Sequence, residues 1–256
     1  MKVLITGGSG LLGIELVRIA PKNFTLDDNL LAPPRGEVDI TNINEVESFL
    51  VQHDIDVVLH AAAMTRPMKD HEINPGKSIQ ENIIGTANIA YLCSQLDTRM
   101  IYISTDYVYL GDFPLSTEED PVLPVNFYAT SKLGGECAVK MLDNFLILRC
   151  SFCPRPFPHK KAFNDVYKSY LYVDEIAPII WKFISSTAMG IYNVGGSRMT
   201  VYEFAKRSDP NVDPISRNEA MAQLREYIPV DTSMNLRKLD NILVDVILGV
   251  ANDPSV

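Results

Sequence analysis

The sequence lacks an excess of basic residues: 23 Lys and Arg stand against 32 Asp and Glu, a formal net charge of −9. Without a positive field the chain has no general attraction to nucleic acid or to an anionic membrane surface, so we expect neither partner. Apolar runs of membrane-spanning length are also missing, because Lys182 interrupts one candidate run and Asp245 another. The first residues, MKVLITGG, hold too short an apolar stretch for a signal peptide. We therefore expect a cytoplasmic protein.

Cysteine is scarce as well, with Cys93, Cys137, Cys150 and Cys153 the four in 256 residues. So few cysteines exclude a disulfide framework in a chain of this length. Cys150 and Cys153 have the C-x-x-C spacing of redox and zinc sites, but the other two cysteines form no second pair. We expect thiols that pack as small apolar side chains, and we predict no metal site.

What the sequence does contain is an alternation of short β-branched runs with segments of helical period. This pattern predicts an α/β fold, a doubly wound parallel sheet of the Rossmann type with helices on both faces. The predicted strands of the first part are Val3–Thr6, Leu30–Ala32, Val57–His60, Met100–Ser104 and Phe145–Leu148. The predicted helices are Leu11–Ala20, Ile43–Gln52, Ser78–Gln95 and Ala129–Leu142.

The alternation of strand and helix patterns stops after Arg149, and three prolines then fall within five residues. Regular patterns return with predicted strands at Tyr170–Val173 and Ile191–Val194, and helices from Asp174 and from Val201. We therefore expect a dinucleotide-binding domain over residues 1–149, its sheet completed by about residues 170–196. Residues from about 150 to 169 and from 197 to 256 would form a small C-terminal lobe.

A glycine-rich turn, TGGSGLLG, joins the first predicted strand to the first predicted helix. Glycines in this setting allow a tight turn and a close approach of the backbone to a pyrophosphate at the helix N-terminus. The turn therefore predicts dinucleotide binding. The contacting residues would be Gly7, Gly10, Leu11, Leu12 and Gly13.

The tip of the second strand bears on the choice of cofactor. NAD sites place a carboxylate there for the ribose 2′-hydroxyl, but Leu30–Ala32 is followed by two prolines and Arg35. Because a guanidinium suits a 2′-phosphate, this placement favours NADP(H). The alternative strand, Phe24–Leu26, ends at Asp27 and Asp28 and would favour NAD(H).

Three polar residues point to proton transfer beside such a cofactor. Tyr128 and Lys132 are separated by one helical turn and share a face, and Thr105 follows a strand at the edge where parallel sheets bind ligands. A hydroxyl, a phenol and an ammonium are the groups needed to move a proton together with a hydride. We expect the Lys132 cation to lower the pKa of Tyr128, which is near 10 in a free tyrosine.

Taken in order, these motifs resemble the extended short-chain dehydrogenase/reductases, and within them the dTDP-4-dehydrorhamnose reductase-like (RmlD-like) group. The segments that carry the resemblance are TGGSGLLG, Val38–Thr41, Asp56–Ala63, Glu81-Asn82 with Gly85-Thr86, Ser104–Tyr109, Tyr128-x-x-x-Lys132, Tyr172–Ala177 and Gly190–Gly195. His60 departs from the pattern, since the group often has Asn there. The segment Cys150–Ser169 and the C-terminal tail are shorter than is usual.

The resemblance implies roles for individual residues. Asp39 and Ile40 would border the adenine, and Ala61, Ala62 and Ala63 would line the cofactor. Thr105 would bind the substrate carbonyl, Tyr128 would donate the proton, and Lys132 would hold the nicotinamide ribose, with Asn82 behind the site. Further substrate contacts would come from Asp106, Tyr107 and Arg155, the last from a basic stretch with His159, Lys160 and Lys161 that could meet a diphosphate.

The implied activity is the NADP(H)-dependent reduction of a nucleotide-linked 4-keto-6-deoxy sugar in activated-sugar or polysaccharide biosynthesis, with NAD(H) as the other cofactor option. The substrate would bind in the C-terminal lobe. Thr105 is followed by Asp106 and Tyr107, whereas the related dehydratases have Asp-Glu, so we expect no dehydration. Two alternatives stay open: a sugar-nucleotide epimerase or dehydratase, and a catalytically silent NADP-binding regulatory subunit. Whether two copies form a homodimer is also open.

Overall fold

The computed structural model describes residues 1–26, 29–224 and 227–248. Its strands are β1 (Val3–Thr6), β2 (Leu30–Leu31), β3 (Val57–His60), β4 (Arg99–Thr105), β5 (Phe145–Cys150), β6 (Phe152–Cys153), β7 (Lys161–Phe163), β8 (Tyr167–Lys168), β9 (Leu171–Tyr172), β10 (Gly190–Val194), β11 (Met199–Thr200) and β12 (Asp213–Ile215). Its helices are α1 (Leu11–Arg18), α2 (Ile43–His53), α3 (Lys69–Ile73), α4 (Pro75–Ser78), α5 (Gly85–Leu96), α6 (Phe127–Val139), α7 (Val173–Ile184), α8 (Val201–Ala205), α9 (Arg217–Leu224) and α10 (Arg237–Leu248). A π-helical turn, Ile79–Ile84, joins α4 to α5, and a 3-10 turn, Asp106–Val108, follows β4.

Six strands form one parallel sheet in the order β10-β5-β4-β3-β1-β2. The predicted doubly wound parallel sheet is therefore confirmed. Helices cover both faces, because alternate residues of the buried strands point to opposite sides. Val3 and Ile5 pack in a cluster with α1 and α7, whereas Leu4 packs in a second cluster with α2 and α5.

The smaller strands pair outside this sheet, as β6 with β9, β7 with β12 and β8 with β11. They enclose a third apolar cluster, which includes Cys153, Tyr172 and Phe204. This lobe lies on the chain after β5, in the region where the prolines fall. The domain division at residue 149 stays a prediction.

The structure differs from the predicted elements in two places that bear on the site. The helix expected over Ser78–Gln95 contains the π-helical turn, and Asn82 lies within that turn. Strand β2 pairs with β1 through Leu30, as expected, but it ends at Leu31, one residue before Ala32. The competing carboxylates Asp27 and Asp28 lie outside the described residues. Among the helices of the described ranges, none is both long and apolar enough to cross a bilayer.

Candidate functional site

The glycine turn packs directly on the backbone that follows β3. Gly7 has φ +74°, and a Cβ there would lie 2.7 Å from the Ala62 backbone nitrogen. A Cβ on Gly13 would lie 2.3 Å from the Gly7 carbonyl oxygen. These two glycines are therefore required by the chain's own packing, which brings the start of α1 against the carboxyl end of the sheet.

Gly10 is different, because its Cβ would meet only the Gly7 carbonyl oxygen, at 3.2 Å. It precedes α1 without a capping side chain, and the backbone N–H groups of Leu11 and Leu12 have no acceptor among the described residues. Unpaired N–H groups and the positive end of the helix dipole suit an anion. The turn thus fits the pyrophosphate of a dinucleotide, and the predicted contacts lie together around it.

The predicted adenosine end of the site is held by ion pairs. Arg35 donates to Asp39 at 3.2 Å and to Glu81 at 2.9 Å, and 60% of its side chain is exposed. Asp39 also accepts two hydrogen bonds of 2.9 Å from Thr41, and Ile40 packs against Gly85. A 2′-phosphate would share Arg35 with these carboxylates, and its role stays a prediction. No local sequence pattern indicates Glu81 as its partner, because the two residues are 46 positions apart.

Asn82 fixes the chain beyond Ala61, Ala62 and Ala63. Its amide donates to the Met64 carbonyl at 2.9 Å and to Ser131 Oγ at 2.8 Å, while its oxygen accepts from the Met64 N–H at 2.8 Å. Ser131 in turn donates to the Tyr128 carbonyl at 2.7 Å. The amide therefore ties the cofactor side of the site to α6, which explains its position behind the predicted catalytic residues.

His60 is a structural residue. It is fully buried, with hydrogen-bonded contacts of 2.7 Å to Thr6 Oγ1 and 3.0 Å to Thr86 Oγ1. Burial, with a smaller contribution from Lys132, lowers its pKa to about 3, so the imidazole is neutral at physiological pH. Its two contacts link Thr6 of β1 to Thr86 of α5, as the side-chain amide of an Asn at this position could also do.

The predicted catalytic groups converge at the carboxyl end of β4. Asn126 caps α6 by accepting from the Ala129 N–H at 2.8 Å, which places Tyr128 and Lys132 in the first two turns. The Thr105 hydroxyl acts on the phenol of Tyr128, where it lowers the pKa against the larger effect of burial. The Lys132 ammonium is buried and lies 4.1 Å from the ring centre of Tyr102.

The expectation that Lys132 lowers the pKa of Tyr128 is wrong. Burial raises the pKa of Tyr128 to about 12, against an opposing hydrogen bond from Thr105, and the cation that acts on the phenol is Lys168. Burial also lowers the pKa of Lys132 to about 7, despite the nearby Glu136 carboxylate. The sequence spacing could not reveal this, because desolvation depends on what the tertiary structure packs around each group.

Below Lys132 lies a buried ion pair. Glu136 receives two hydrogen bonds from Arg149, of 3.1 and 2.9 Å, and one of 2.7 Å from Ser104. Arg149 also donates to the Tyr109 hydroxyl at 2.9 Å. These bonds join α6 to β4 and β5, and so hold Tyr128 and Lys132 in place.

Asp106 is only 2% exposed. Its carboxylate lies 2.6 Å from the Lys168 ammonium and 2.6 Å from Thr232 Oγ1, and it accepts from Thr105 at 3.3 Å. The Asp106 carboxylate thus takes part in an internal ion pair, and its role in substrate binding stays a prediction. Tyr107 is half-buried, with its ring 3.7 Å from the Lys168 ammonium. Lys168 was not predicted, because a lysine between Tyr167 and Ser169 belongs to no recognisable motif.

Arg155 is held by two carboxylates. It donates to Asp174 at 3.0 Å and to Glu175 at 2.9 Å, and it lies 4.0 Å above the Tyr172 ring. These contacts attach the proline-rich segment to the start of α7, so the guanidinium is committed to two carboxylates. Its role in substrate binding stays a prediction. His159, Lys160 and Lys161 are exposed, and the charge of Arg66 acts on His159.

His71 was not identified from the sequence. It is fully buried on α3, accepts or donates one hydrogen bond of 2.8 Å with Ser78 Oγ, and meets the Tyr128 ring edge-on at 5.2 Å. Burial lowers its pKa. The imidazole therefore packs against the Tyr128 ring.

The cysteines are free thiols, and Cys93, Cys150 and Cys153 are buried as expected, whereas Cys137 is exposed. Burial raises the pKa of Cys93 and of Cys153 to about 12. Such thiols are poor nucleophiles at neutral pH. The two cysteines of the C-x-x-C spacing are therefore packing residues, Cys150 in the core of the main sheet and Cys153 in the lobe.

A family model described as RmlD substrate binding domain matches residues 1–153. A probable low-salt glycan biosynthesis reductase, Agl14, of Haloferax volcanii is 33% identical over 161 residues, 59% of this chain and 53% of that protein. Methionine adenosyltransferase 2 subunit beta of Bos taurus is 34% identical over 155 residues, 57% of this chain and 44% of that protein. The chain thus spans about half the length of the curated relatives it matches.

The solved structure of a dTDP-4-dehydrorhamnose reductase from Bacillus anthracis in complex with NADP is similar, with a TM-score of 0.84 and 27% identity. The match covers 94% of this chain and 93% of that one. It confirms the Rossmann-type fold inferred from the sequence. Because the family model matches more than half of the chain, the protein belongs to the RmlD substrate binding domain family, the dTDP-4-dehydrorhamnose reductase-like group of the extended short-chain dehydrogenase/reductases.

Proposed function

We propose that the protein is an NADP(H)-dependent reductase of a nucleotide-linked 4-keto-6-deoxy sugar, acting in activated-sugar or polysaccharide biosynthesis. The observation that carries the proposal is the convergence of Thr105, Tyr128 and Lys132 at the sheet edge that also holds the glycine turn. The Bacillus anthracis structure, a dTDP-4-dehydrorhamnose reductase with NADP, supports the substrate class and the cofactor.

The turn residues from Gly7 to Gly13 would hold the pyrophosphate, and Arg35 would meet the 2′-phosphate. Ala61, Ala62 and Ala63 would line the cofactor, and Lys132 would bond the nicotinamide ribose. Bound NADPH would supply the hydride. The buried position of Lys132 excludes bulk water from that bond and strengthens it.

Tyr128 would act as the proton donor, with Thr105 orienting the substrate carbonyl. A phenol with a pKa of about 12 keeps its proton at neutral pH, which is the state a donor needs. The alkoxide formed by reduction is far more basic than a tyrosinate, so proton transfer to it is downhill even from this weak acid. The raised pKa therefore suits reduction better than oxidation, in which the same phenol would have to act as a base.

A phenol that keeps its proton favours reduction over the two related reactions on the same fold. An epimerase must oxidise and reduce in one cycle, so its tyrosine has to accept a proton as easily as it donates one. A dehydratase needs a base at the position of Tyr107, and a phenol is a poor base at neutral pH. Asp106 cannot replace it, since its carboxylate is bonded to Lys168 and Thr232.

A second candidate is a silent NADP-binding subunit, which the similarity to methionine adenosyltransferase 2 subunit beta favours, because that relative is named as part of another enzyme. The experiment is NADPH oxidation with a pre-formed nucleotide 4-keto-6-deoxy sugar, run beside a direct measurement of NADPH affinity. Stoichiometric NADPH consumption by the wild type, absent in Tyr128→Phe, is expected. NADPH binding without turnover on a panel of such sugars would support the silent subunit instead. Dehydration of a 6-hydroxymethyl sugar with oxidised cofactor would contradict both.

A further inference from the structure

A buried charge cluster lies beside Tyr128. It consists of Asp106 on the turn after β4 and Lys168 on β8, 2.6 Å apart and each at most 4% exposed. Thr232 Oγ1 accepts from the ammonium at 3.0 Å and donates to the carboxylate at 2.6 Å. Neither charge reaches solvent, so each acts on its neighbours with little screening.

Two aromatic rings flank the ammonium. Lys168 Nζ lies 3.7 Å from the centre of the Tyr107 ring and 5.1 Å from that of Tyr170. The Tyr107 ring meets the Tyr128 ring edge-on, with centres 6.3 Å apart. The ammonium therefore lies at most about 10 Å from the centre of the Tyr128 ring.

We propose that Lys168 is a positioning residue for the chemistry at Tyr128: its ammonium neutralises the buried Asp106 carboxylate beside that phenol and holds the Tyr107 ring against it. The proposal extends the proposed reductase function, although its main test does not require turnover. Asp106 bonds to Thr105, the hydroxyl that would orient the substrate carbonyl. A full negative charge there, left without a partner, would oppose the negative charge that forms on Tyr128 when its proton leaves.

The groups that face Tyr128 come from four elements. They are Thr105, Asp106 and Tyr107 after β4, Lys168 on β8, His71 on α3 and Lys132 on α6 itself. The His71 imidazole has a lowered pKa and is neutral, and burial leaves Lys132 with a pKa of about 7. Burial alone would lower the pKa of Lys168, but the Asp106 carboxylate raises it above its usual value. Lys168 is therefore the group that stays cationic at every pH of interest.

The test replaces Tyr128 with a fluorinated tyrosine that ionises at lower pH, and follows the phenol by fluorine NMR in the full-length protein. Variants Lys168→Met and Asp106→Asn/Lys168→Met carry the decisive comparison, because both lack the ammonium and they differ only in the carboxylate that it neutralises. A unit charge at about 10 Å, with an effective dielectric constant near 20, shifts a pKa by about one unit. Lys168→Met should therefore titrate about one pH unit above the double variant. Equal titration of the two would overturn the proposal.

Single variants complete the comparison. Lys168→Met should raise the phenol pKa above that of the wild type by at least as much, while Lys22→Met, which removes an exposed lysine beyond the far end of α1, should leave it unchanged. A shift in Lys22→Met as large as in Lys168→Met would also overturn the proposal. If the protein is a reductase, kcat/KM of Lys168→Met should fall at higher pH than in the wild type, because Tyr128 must carry its proton to donate it. Absence of turnover in every protein would contradict the proposed function and leave the NMR result to decide on Lys168.

Discussion

The ion pair between Glu136 and Arg149 offers the sharpest test of how the site is supported. Both side chains are at most 1% exposed, and they share two hydrogen bonds. Glu136→Gln keeps the shape but leaves the Arg149 guanidinium as a buried charge without a counter-charge. Breaking a buried pair in this way costs about 3–5 kcal/mol, a large part of the stability of a typical domain.

In thermal unfolding, this loss corresponds to a fall of roughly 10 °C in Tm for a chain of this size. The double variant Glu136→Gln/Arg149→Met removes both charges and should recover part of it. Glu15→Gln is the matched control, since Glu15 pairs with an arginine whose side chain is 64% exposed. That control should leave Tm nearly unchanged. A destabilisation below about 1 kcal/mol in Glu136→Gln would refute the reasoning.

The same pair predicts a pH dependence. Burial would raise the pKa of Glu136, but the hydrogen bonds and charge of Arg149 outweigh it and hold that pKa below its usual value. A carboxylate with a lowered folded-state pKa stabilises the protein fully above its unfolded pKa, near 4.3, and loses that contribution as the pH falls through the folded value. Acid unfolding of Glu136→Gln should therefore depend less on pH below about 4.5 than that of the wild type. Equal acid dependence would show that Glu136 is not ionised in the native state.

Three further outcomes test the cofactor and proton-transfer residues. Tyr128→Phe should abolish turnover while NADPH affinity stays nearly intact, whereas Lys132→Met should reduce both. Full activity of Tyr128→Phe would refute the assignment of Tyr128 as the proton donor. Arg35→Ala should raise the NADPH dissociation constant far more than that of NADH, and an equal loss for both cofactors would show that Arg35 does not meet a 2′-phosphate. Gly10→Ala should fold normally, because only the Gly7 carbonyl lies near its Cβ, but it should bind NADPH weakly, because the added methyl group stands where the pyrophosphate would approach the backbone. Gly7→Ala should lower Tm instead, since its Cβ would meet the backbone of Ala62. Unchanged NADPH binding by Gly10→Ala would contradict the phosphate site.

The sequence alone determined much of the fold. Strands Val3–Thr6 and Val57–His60 were predicted at their observed bounds, because buried parallel strands have a short-range pattern of apolar and β-branched residues. The glycine turn and the Tyr128 and Lys132 spacing are also local patterns, and together they carried the resemblance to the family that the comparisons confirmed. The roles of the individual site residues were predicted in the same way and await the experiments above.

The tertiary structure decided which charged groups meet at the site. Lys168 lies 62 residues from Asp106 in the chain, and Arg149 lies 13 residues from Glu136, separations for which no local pattern exists. The spacing of Tyr128 and Lys132 also predicted that the pKa of Tyr128 would fall, whereas burial raises it to about 12. Arg155 has no carboxylate beside it in the sequence from Cys150 to Asn164, and it pairs with Asp174, 19 residues along the chain. Desolvation and ion pairing depend on distances in space, and only the folded chain sets those distances.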